Sequence, residues 1–126
     1  MNKKIIINTE KDNRWRKSLE HGNLRWKLLI DSSITKSSDL SVGLLKIIPN
    51  EQLALHHHSP KEIYLIKKGA GLLLTPNKSF DVKSGDLVFI PEDAIHGVKN
   101  TCKIPMLIYW IFPTNCWEQV KYNFVT

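Results

Sequence analysis

The stretch that decides the fold is HHHSPKEIY, at residues 56–64. Successive side chains of a β-strand point to opposite faces of the sheet, so His56 and His58 share one face. By the same two-residue period, Glu62 and Tyr64 share a face of the strand that follows. The sequence therefore predicts two successive strands that each carry a pair of polar side chains on one face.

A distant histidine completes a candidate metal site. His96 follows a turn at Pro91–Asp93, and three neutral imidazoles with one carboxylate form a nitrogen and oxygen donor set. That set suits Fe²⁺, Mn²⁺, Ni²⁺ or Zn²⁺ far better than Ca²⁺ or Mg²⁺. In six-coordinate geometry four protein ligands leave two positions open, as a catalytic site needs and a structural zinc site does not. The candidate ligands are His56, His58, Glu62 and His96. A histidine run near a proline is also typical of a surface loop, so the run alone leaves metal binding open.

Outside this stretch, short β-branched or aromatic runs recur at close spacing, and turn residues separate most of them. The runs are Trp26–Ile30, Leu40–Ile48, Glu62–Ile66, Gly71–Thr75, Leu87–Ile90, Met106–Phe112 and Val120–Val125. Many short strands without a long periodic helix predict an all-β sandwich or barrel.

The first 25 residues are the least strand-like part of the chain. Thr9 with Asp12 is expected to cap a short helix that holds Trp15 and Leu19. The expected architecture is therefore a β-barrel with a short helical or irregular N-terminal segment.

Length and charge exclude several classes of protein. The 126 residues are room for one domain. The formal net charge is +6, but the basic residues are mostly scattered lysines and only three are arginines, which argues against nucleic-acid readout. The longest apolar run, Met106–Phe112, is far shorter than the roughly 20 residues of a membrane span, and the start lacks the apolar stretch of a signal peptide. We therefore expect a cytoplasmic protein that binds neither nucleic acid nor membrane.

The wider spacing resembles the two sequence motifs of the cupin superfamily. The pattern reads His56-x-His58-x3-Glu62-x6-Gly69, then Gly85-x5-Pro91-x4-His96-x3-Asn100. The motifs lie within residues 50–100, and the resemblance implies one cupin domain over residues 1–126, a double-stranded β-helix or jelly-roll-like barrel. Asn50 and Asp93 stand where the motifs usually have glycine, and both residue types tolerate a left-handed backbone. Asn100 is expected to hold a loop by hydrogen bonds.

Tyr64 is the residue beside the site that bears most on the reaction. Its phenol should point into the barrel near the metal, where it either fills the core with its hydroxyl hydrogen-bonded or acts as a general base. A nearby dication stabilises the phenolate and lowers a pKa that is ordinarily near 10.

A closer resemblance is to the cupin-type dimethylsulfoniopropionate (DMSP) lyases, among them the compact single-domain type of marine bacteria. It rests on the short chain, on Tyr64 two residues after Glu62, and on Tyr122 near the C-terminus. It implies a β-elimination of DMSP to dimethyl sulfide and acrylate, with a metal binding the substrate carboxylate. Tyr64 would be the base and Tyr122 a second tyrosine at the substrate, although the sequence leaves open which of the two takes the proton.

The sulfonium of such a substrate needs an aromatic wall, because cation–π contacts stabilise a soft cation. The candidates are Trp26, Trp110, Phe112 and Tyr122. Trp110 and Phe112 share a strand face, and core packing is the alternative for each. Tyr109 and Trp117 are interpreted as packing residues.

Other cupin functions remain open at this point. A metal-dependent dioxygenase, a cupin isomerase and a non-enzymatic small-molecule sensor all fit the same ligand set. We expect one divalent transition metal per chain, with Fe²⁺ favoured and Mn²⁺, Ni²⁺ or Zn²⁺ fitting the same ligands. We also expect a homodimer, because exposed apolar strand faces must be covered.

Overall fold

The computed structural model describes residues 3–18 and 22–125, which form eleven strands and two single 3₁₀ turns. The strands are β1 (Arg16–Ser18), β2 (Leu24–Ile30), β3 (Ser41–Ile47), β4 (Gln52–His57), β5 (Glu62–Lys68), β6 (Ala70–Leu74), β7 (Ser79–Lys83), β8 (Leu87–Ile90), β9 (His96–Asn100), β10 (Met106–Phe112) and β11 (Asn123–Phe124). The turns are Glu10–Asp12 and Trp117–Gln119. None of the helical segments in these residues is long and apolar enough to cross a membrane.

Two antiparallel sheets enclose the core. The six-stranded sheet has the order β1-β2-β3-β10-β5-β8, and the five-stranded sheet has the order β11-β4-β9-β6-β7. Strand β10 shows the expected alternation, since every second residue from Met106 to Phe112 is buried. One core cluster combines residues of both sheets, such as Ile66 from the first and Val98 from the second. This arrangement confirms the predicted all-β, jelly-roll-like fold.

The predicted strand bounds are best where apolar residues are dense. Strands β8 and β10 match the expected runs residue for residue, whereas the expected run Val120–Val125 contains only the two-residue strand β11. Strand β11 pairs with His56 and His57 at the end of β4, and the Val125 backbone N–H donates to the Leu55 carbonyl at 3.0 Å.

The expected N-terminal helix around Trp15 is wrong. Thr9 makes no side-chain capping bond, the 3₁₀ turn ends at Asp12 and β1 begins at Arg16, while Leu19 lies outside the described residues. Hydrogen bonds to strand β2 hold the N-terminal segment in place instead. The Asn8 side chain donates to the Leu29 carbonyl at 2.6 Å, and the Lys27 ammonium donates to the Glu10 carbonyl at 2.6 Å. Tertiary hydrogen bonds thus override the local capping pattern.

The residues that replace motif glycines adopt the backbone that glycine would. Asn50 has φ 70° and Asp93 has φ 58°, both left-handed. Asn100 is fully buried, and its side-chain amide donates to the carbonyls of Ile47 at 2.8 Å and Ile104 at 2.9 Å. Its amide oxygen accepts the backbone N–H of Cys102 at 2.8 Å. The expected role of Asn100 in holding a loop is therefore confirmed.

Candidate metal centre

The histidine run straddles the end of β4 and presents two of its rings to the barrel interior. His56 is 0% and His58 1% exposed. The side chain of His57 is 38% exposed, and its Nδ1 lies 3.5 Å from Asp93 Oδ1 at the surface. The two-residue period of the strand accounts for this division.

His96 joins these rings from the neighbouring strand. It is the first residue of β9, it pairs directly with His56, and the two ring centroids are 4.3 Å apart. One ring nitrogen from each of His56, His58 and His96 lies within 4.8 Å of the others. The antiparallel pairing of β4 with β9 therefore produces the cluster from residues that are 40 positions apart in sequence.

Backbone carbonyls fix the orientation of all three rings. The Nδ1 atoms of His56, His58 and His96 lie 2.8 Å from the carbonyl oxygens of Ala54, Pro60 and Ala94, respectively. A carbonyl oxygen only accepts, so each Nδ1 carries a proton. This leaves the Nε2 atom of each ring as the possible metal ligand, available when that nitrogen carries no proton. Such outer hydrogen bonds are the usual way in which proteins orient metal-binding imidazoles.

Glu62 adds a buried carboxylate to the cluster. It is the first residue of β5 and 2% exposed, and its Oε1 lies 3.1 Å from His58 Nε2 and 3.3 Å from His96 Nε2. Burial alone would lower the pKa of His58, but the hydrogen bond to Glu62 and its charge raise that pKa overall. The buried His96 Nε2 makes no hydrogen bond to any described residue despite its proximity to Glu62. Three oriented imidazoles, two of which lie beside a buried carboxylate, fit a divalent transition metal.

Tyr64 lies on the same inner face as Glu62. It is 2% exposed, and its ring centroid is 5.9 Å from that of His96. Burial, and next the charge of Glu62, raise the pKa of Tyr64 well above its ordinary value. Both causes favour the neutral, protonated phenol.

Tyr122 reaches the cluster from the C-terminal segment. Its ring stacks on His56 with centroids 4.8 Å apart, and its hydroxyl accepts the indole N–H of Trp117 at 3.3 Å. Burial and the charge of Glu62 raise the pKa of Tyr122, whereas the bond from Trp117 lowers it.

A cavity of about 390 Å³ opens beside Glu62 and Tyr64. Its aromatic lining consists of Tyr64, Trp26, Trp110, Trp117, Tyr122 and Phe124. Three of the four expected wall residues therefore line it. The fourth, Phe112, is fully buried outside the lining and packs edge-on against the His58 ring at 5.0 Å.

Two further aromatic residues test the packing interpretation. Trp117 packs against the core cluster, as expected, and it also lines the cavity and donates a hydrogen bond to Tyr122. It lies in a 3₁₀ turn without a sequence period, and its proximity to Tyr122 in the chain was the only available signal. Tyr109 lies outside the lining, and its hydroxyl donates to Glu10 Oε2.

Fold and site together define an antiparallel β-barrel protein with an interior histidine cluster that can hold a metal ion. Residues 43–112 match the family described as a cupin domain. The chain therefore belongs to the cupin family.

Its relatives include a lyase and a protein of unassigned activity. The chain is 29% identical to dimethylsulfoniopropionate lyase DddW of Ruegeria pomeroyi over 104 residues, which cover 82% of this chain and 68% of that protein. It is 32% identical to an uncharacterized protein of Methanocaldococcus jannaschii over 104 residues, which cover 82% of each chain.

Solved structures agree on the fold. The polyketide cyclase RemF of Streptomyces resistomycificus superposes with a TM-score of 0.80 at 18% identity, covering 100% of this chain and 87% of that chain. A structure described as DMSP lyases RdDddP and RnDddQII superposes with a TM-score of 0.72 at 18% identity, and the match covers 90% of this chain and 63% of that chain. At this identity the superpositions show a shared fold and nothing finer.

Proposed function

We propose that this cupin is a metal-dependent DMSP lyase that cleaves dimethylsulfoniopropionate to dimethyl sulfide and acrylate. The observation that carries the proposal is the placement of Tyr64 and Glu62 on one inner face of β5, beside three imidazoles and an aromatic cavity. The relationship to the lyase DddW supports it. Within the cupin DMSP lyases, we propose that it is of the compact type DddK, which its closely spaced motifs resemble.

Four side chains are the proposed metal ligands, namely His56, His58, Glu62 and His96. When bound, a divalent transition metal supplies Lewis-acid chemistry that polarises the substrate carboxylate and acidifies the adjacent carbon. Fe²⁺ is the favoured ion, while Mn²⁺, Ni²⁺ and Zn²⁺ fit the same donors.

Tyr64 is the proposed general base. Burial and the negative charge of Glu62 raise the pKa of Tyr64, so compensation of that charge by ligation removes one of the two main obstacles to forming the phenolate. The phenolate oxygen takes a proton from the carbon next to the carboxylate. The electrons of that C–H bond form the C=C bond of acrylate, the C–S bond breaks, and its electrons leave on neutral dimethyl sulfide.

The aromatic lining is the proposed site for the dimethylsulfonium group. Cation–π contacts contribute about 0.5–2 kcal/mol each, most with tryptophan. Trp26 and Trp117 lie with ring centroids 5.5 Å apart, and Trp117 and Tyr122 with centroids 6.0 Å apart. These adjoining rings form one continuous wall, in which the Trp117 bond fixes the hydroxyl of Tyr122.

Headspace detection of dimethyl sulfide from metal-loaded protein and DMSP, under strict anaerobiosis, tests the proposal. We expect release that continues without O₂ and stops on chelation. Tyr64→Phe should lower kcat at least about 100-fold with full metal content, the scale of losing a general base, whereas Tyr109→Phe should retain the wild-type rate. Absence of dimethyl sulfide would refute the lyase, and a strict O₂ requirement would indicate a dioxygenase.

A further inference from the structure

Two indole N–H groups in the cavity wall have no visible acceptor. Trp26 Nε1 and Trp110 Nε1 are both buried from solvent, and neither has a hydrogen-bond partner among residues 3–18 and 22–125. Both residues line the cavity that Glu62 and Tyr64 also line. Buried indoles normally donate to an acceptor, so the two donors indicate that a ligand supplies one.

The position of the Trp110 donor is built into the sheet. Trp110 is 5% exposed and lies on β10 between Gly43 of β3 and Tyr64 of β5. A Cβ added at Gly43 would lie 2.0 Å from Trp110 Cζ2 and 2.4 Å from Cε2, the carbon bonded to Nε1. The indole therefore rests directly on the glycine backbone, and a larger residue at that position would displace its N–H.

Trp26 brings the second donor from the next strand. It lies on β2 opposite Leu45, two residues along β3 from Gly43. The Trp117 ring packs against it with centroids 5.5 Å apart. The two donors thus belong to residues that come from the strands on either side of β3 and line one cavity.

The charged residues that line the cavity indicate which kind of ligand would depend on the indole donors. Its acidic lining residues are Glu62 and Glu118, and among residues 3–18 and 22–125 no lysine, arginine or histidine lines it. An anionic group entering it therefore depends on neutral donors or on a metal. In DMSP, the two carboxylate oxygens are the only good hydrogen-bond acceptors.

We propose that the indole N–H groups of Trp110 and Trp26 form a subsite that binds a carboxylate oxygen of the ligand. This deepens the proposed function, on which it rests for the identity of the substrate. The subsite selects small carboxylic acids over cations of similar size. It also assigns the two tryptophans a hydrogen-bonding role that is separate from the aromatic wall.

Indole ¹H–¹⁵N spectra of Zn²⁺-loaded protein test the subsite without turnover. The probes are propionate, propionamide as the neutral match, and trimethylsulfonium as a cation without a carboxylate. We expect propionate to move the Trp26 and Trp110 indole signals saturably downfield in ¹H, with weaker shifts from propionamide and none downfield from trimethylsulfonium. Trp15, on the exterior against Lys27, is the internal control. Propionate that binds by calorimetry without moving either signal would refute the subsite.

Trp110→Phe removes the donor and keeps an aromatic ring. Because a hydrogen bond to a charged acceptor is a strong one, we expect the Kd of propionate to rise about tenfold or more and that of trimethylsulfonium less than about threefold. Trp15→Phe should change neither. Circular dichroism and metal content verify that each variant is folded and loaded. An unchanged propionate Kd in loaded Trp110→Phe would overturn the subsite even if dimethyl sulfide is released, whereas indole shifts without dimethyl sulfide would refute the lyase alone.

Discussion

Substitution of Gly43 by alanine probes how the cavity wall is built. The new methyl group would lie 2.0 Å from Trp110 Cζ2 and 2.3 Å from Cη2, where ordinary contacts are 3.4–4 Å. The indole must therefore withdraw by about 1.4 Å or more. Overpacking of this kind typically costs about 1–3 kcal/mol, which corresponds to a Tm lower by roughly 4–12 °C for a chain of this size.

A double-mutant cycle assigns that cost to the indole. Phenylalanine at position 110 lacks the fused-ring atoms Cζ2 and Cη2, so Gly43→Ala should cost less than about 1 kcal/mol in the Trp110→Phe background, a coupling of about 1–2 kcal/mol. Urea unfolding followed by far-ultraviolet circular dichroism measures all four free energies independently of tryptophan fluorescence. Equal costs in the two backgrounds would refute the packing of Trp110 on Gly43.

Three further predictions concern the scaffold. The buried carboxylate of Asp31 accepts the backbone N–H of Trp117 at 2.8 Å, so Asp31→Ala should lower the free energy of unfolding by about 1–3 kcal/mol; an unchanged urea midpoint would contradict this. Hydrogen bonds from Lys67 and Tyr109 lower the pKa of Glu10 below its ordinary 4.5. The ionised Glu10 carboxylate therefore stabilises the folded protein fully above pH 4.5, and this stabilisation is lost as the pH falls through the pKa that Glu10 has in the folded state. The wild type should have a higher free energy of unfolding than Glu10→Gln at neutral pH, and this difference should vanish in acid. A difference that persists at pH 2 would contradict the lowered pKa of Glu10. Leu87 and Phe89 are 70% and 62% exposed on edge strand β8; we expect light scattering to give a dimer for wild type and a monomer for Phe89→Asp, whereas a monomeric wild type would exclude the dimer.

The sequence predicts the site well where a strand period carries the information. The alternation along HHHSPKEIY predicts His56, His58, Glu62 and Tyr64 on inner faces, and all four are buried. Knowing which face of a strand a residue lies on does not show whether its position along the strand brings the side chain to the cavity. Trp110 and Phe112 share a face, yet only Trp110 reaches the cavity, because Phe112 packs behind His58.

The strand period gives no information about residues in irregular segments. Trp117 lies in a turn whose backbone is held by Asp31, 86 residues away, and no local pattern encodes that bond. The N-terminal helix fails for a similar reason, since bonds from Asn8 and Lys27 to distant backbone groups outweigh the local capping preference. Long-range hydrogen bonds therefore determine the parts of the structure that the sequence does not reveal.

Metal content per chain tests the proposed centre most directly. After stripping and reloading with Mn²⁺, elemental analysis should give one ion per chain for wild type and for His57→Ala, whose imidazole is at the surface beside Asp93. His96→Ala, which removes a buried ring nitrogen from the cluster, should retain far less than one ion. Full metal in folded His96→Ala, or its loss in folded His57→Ala, would show that the ion is held elsewhere.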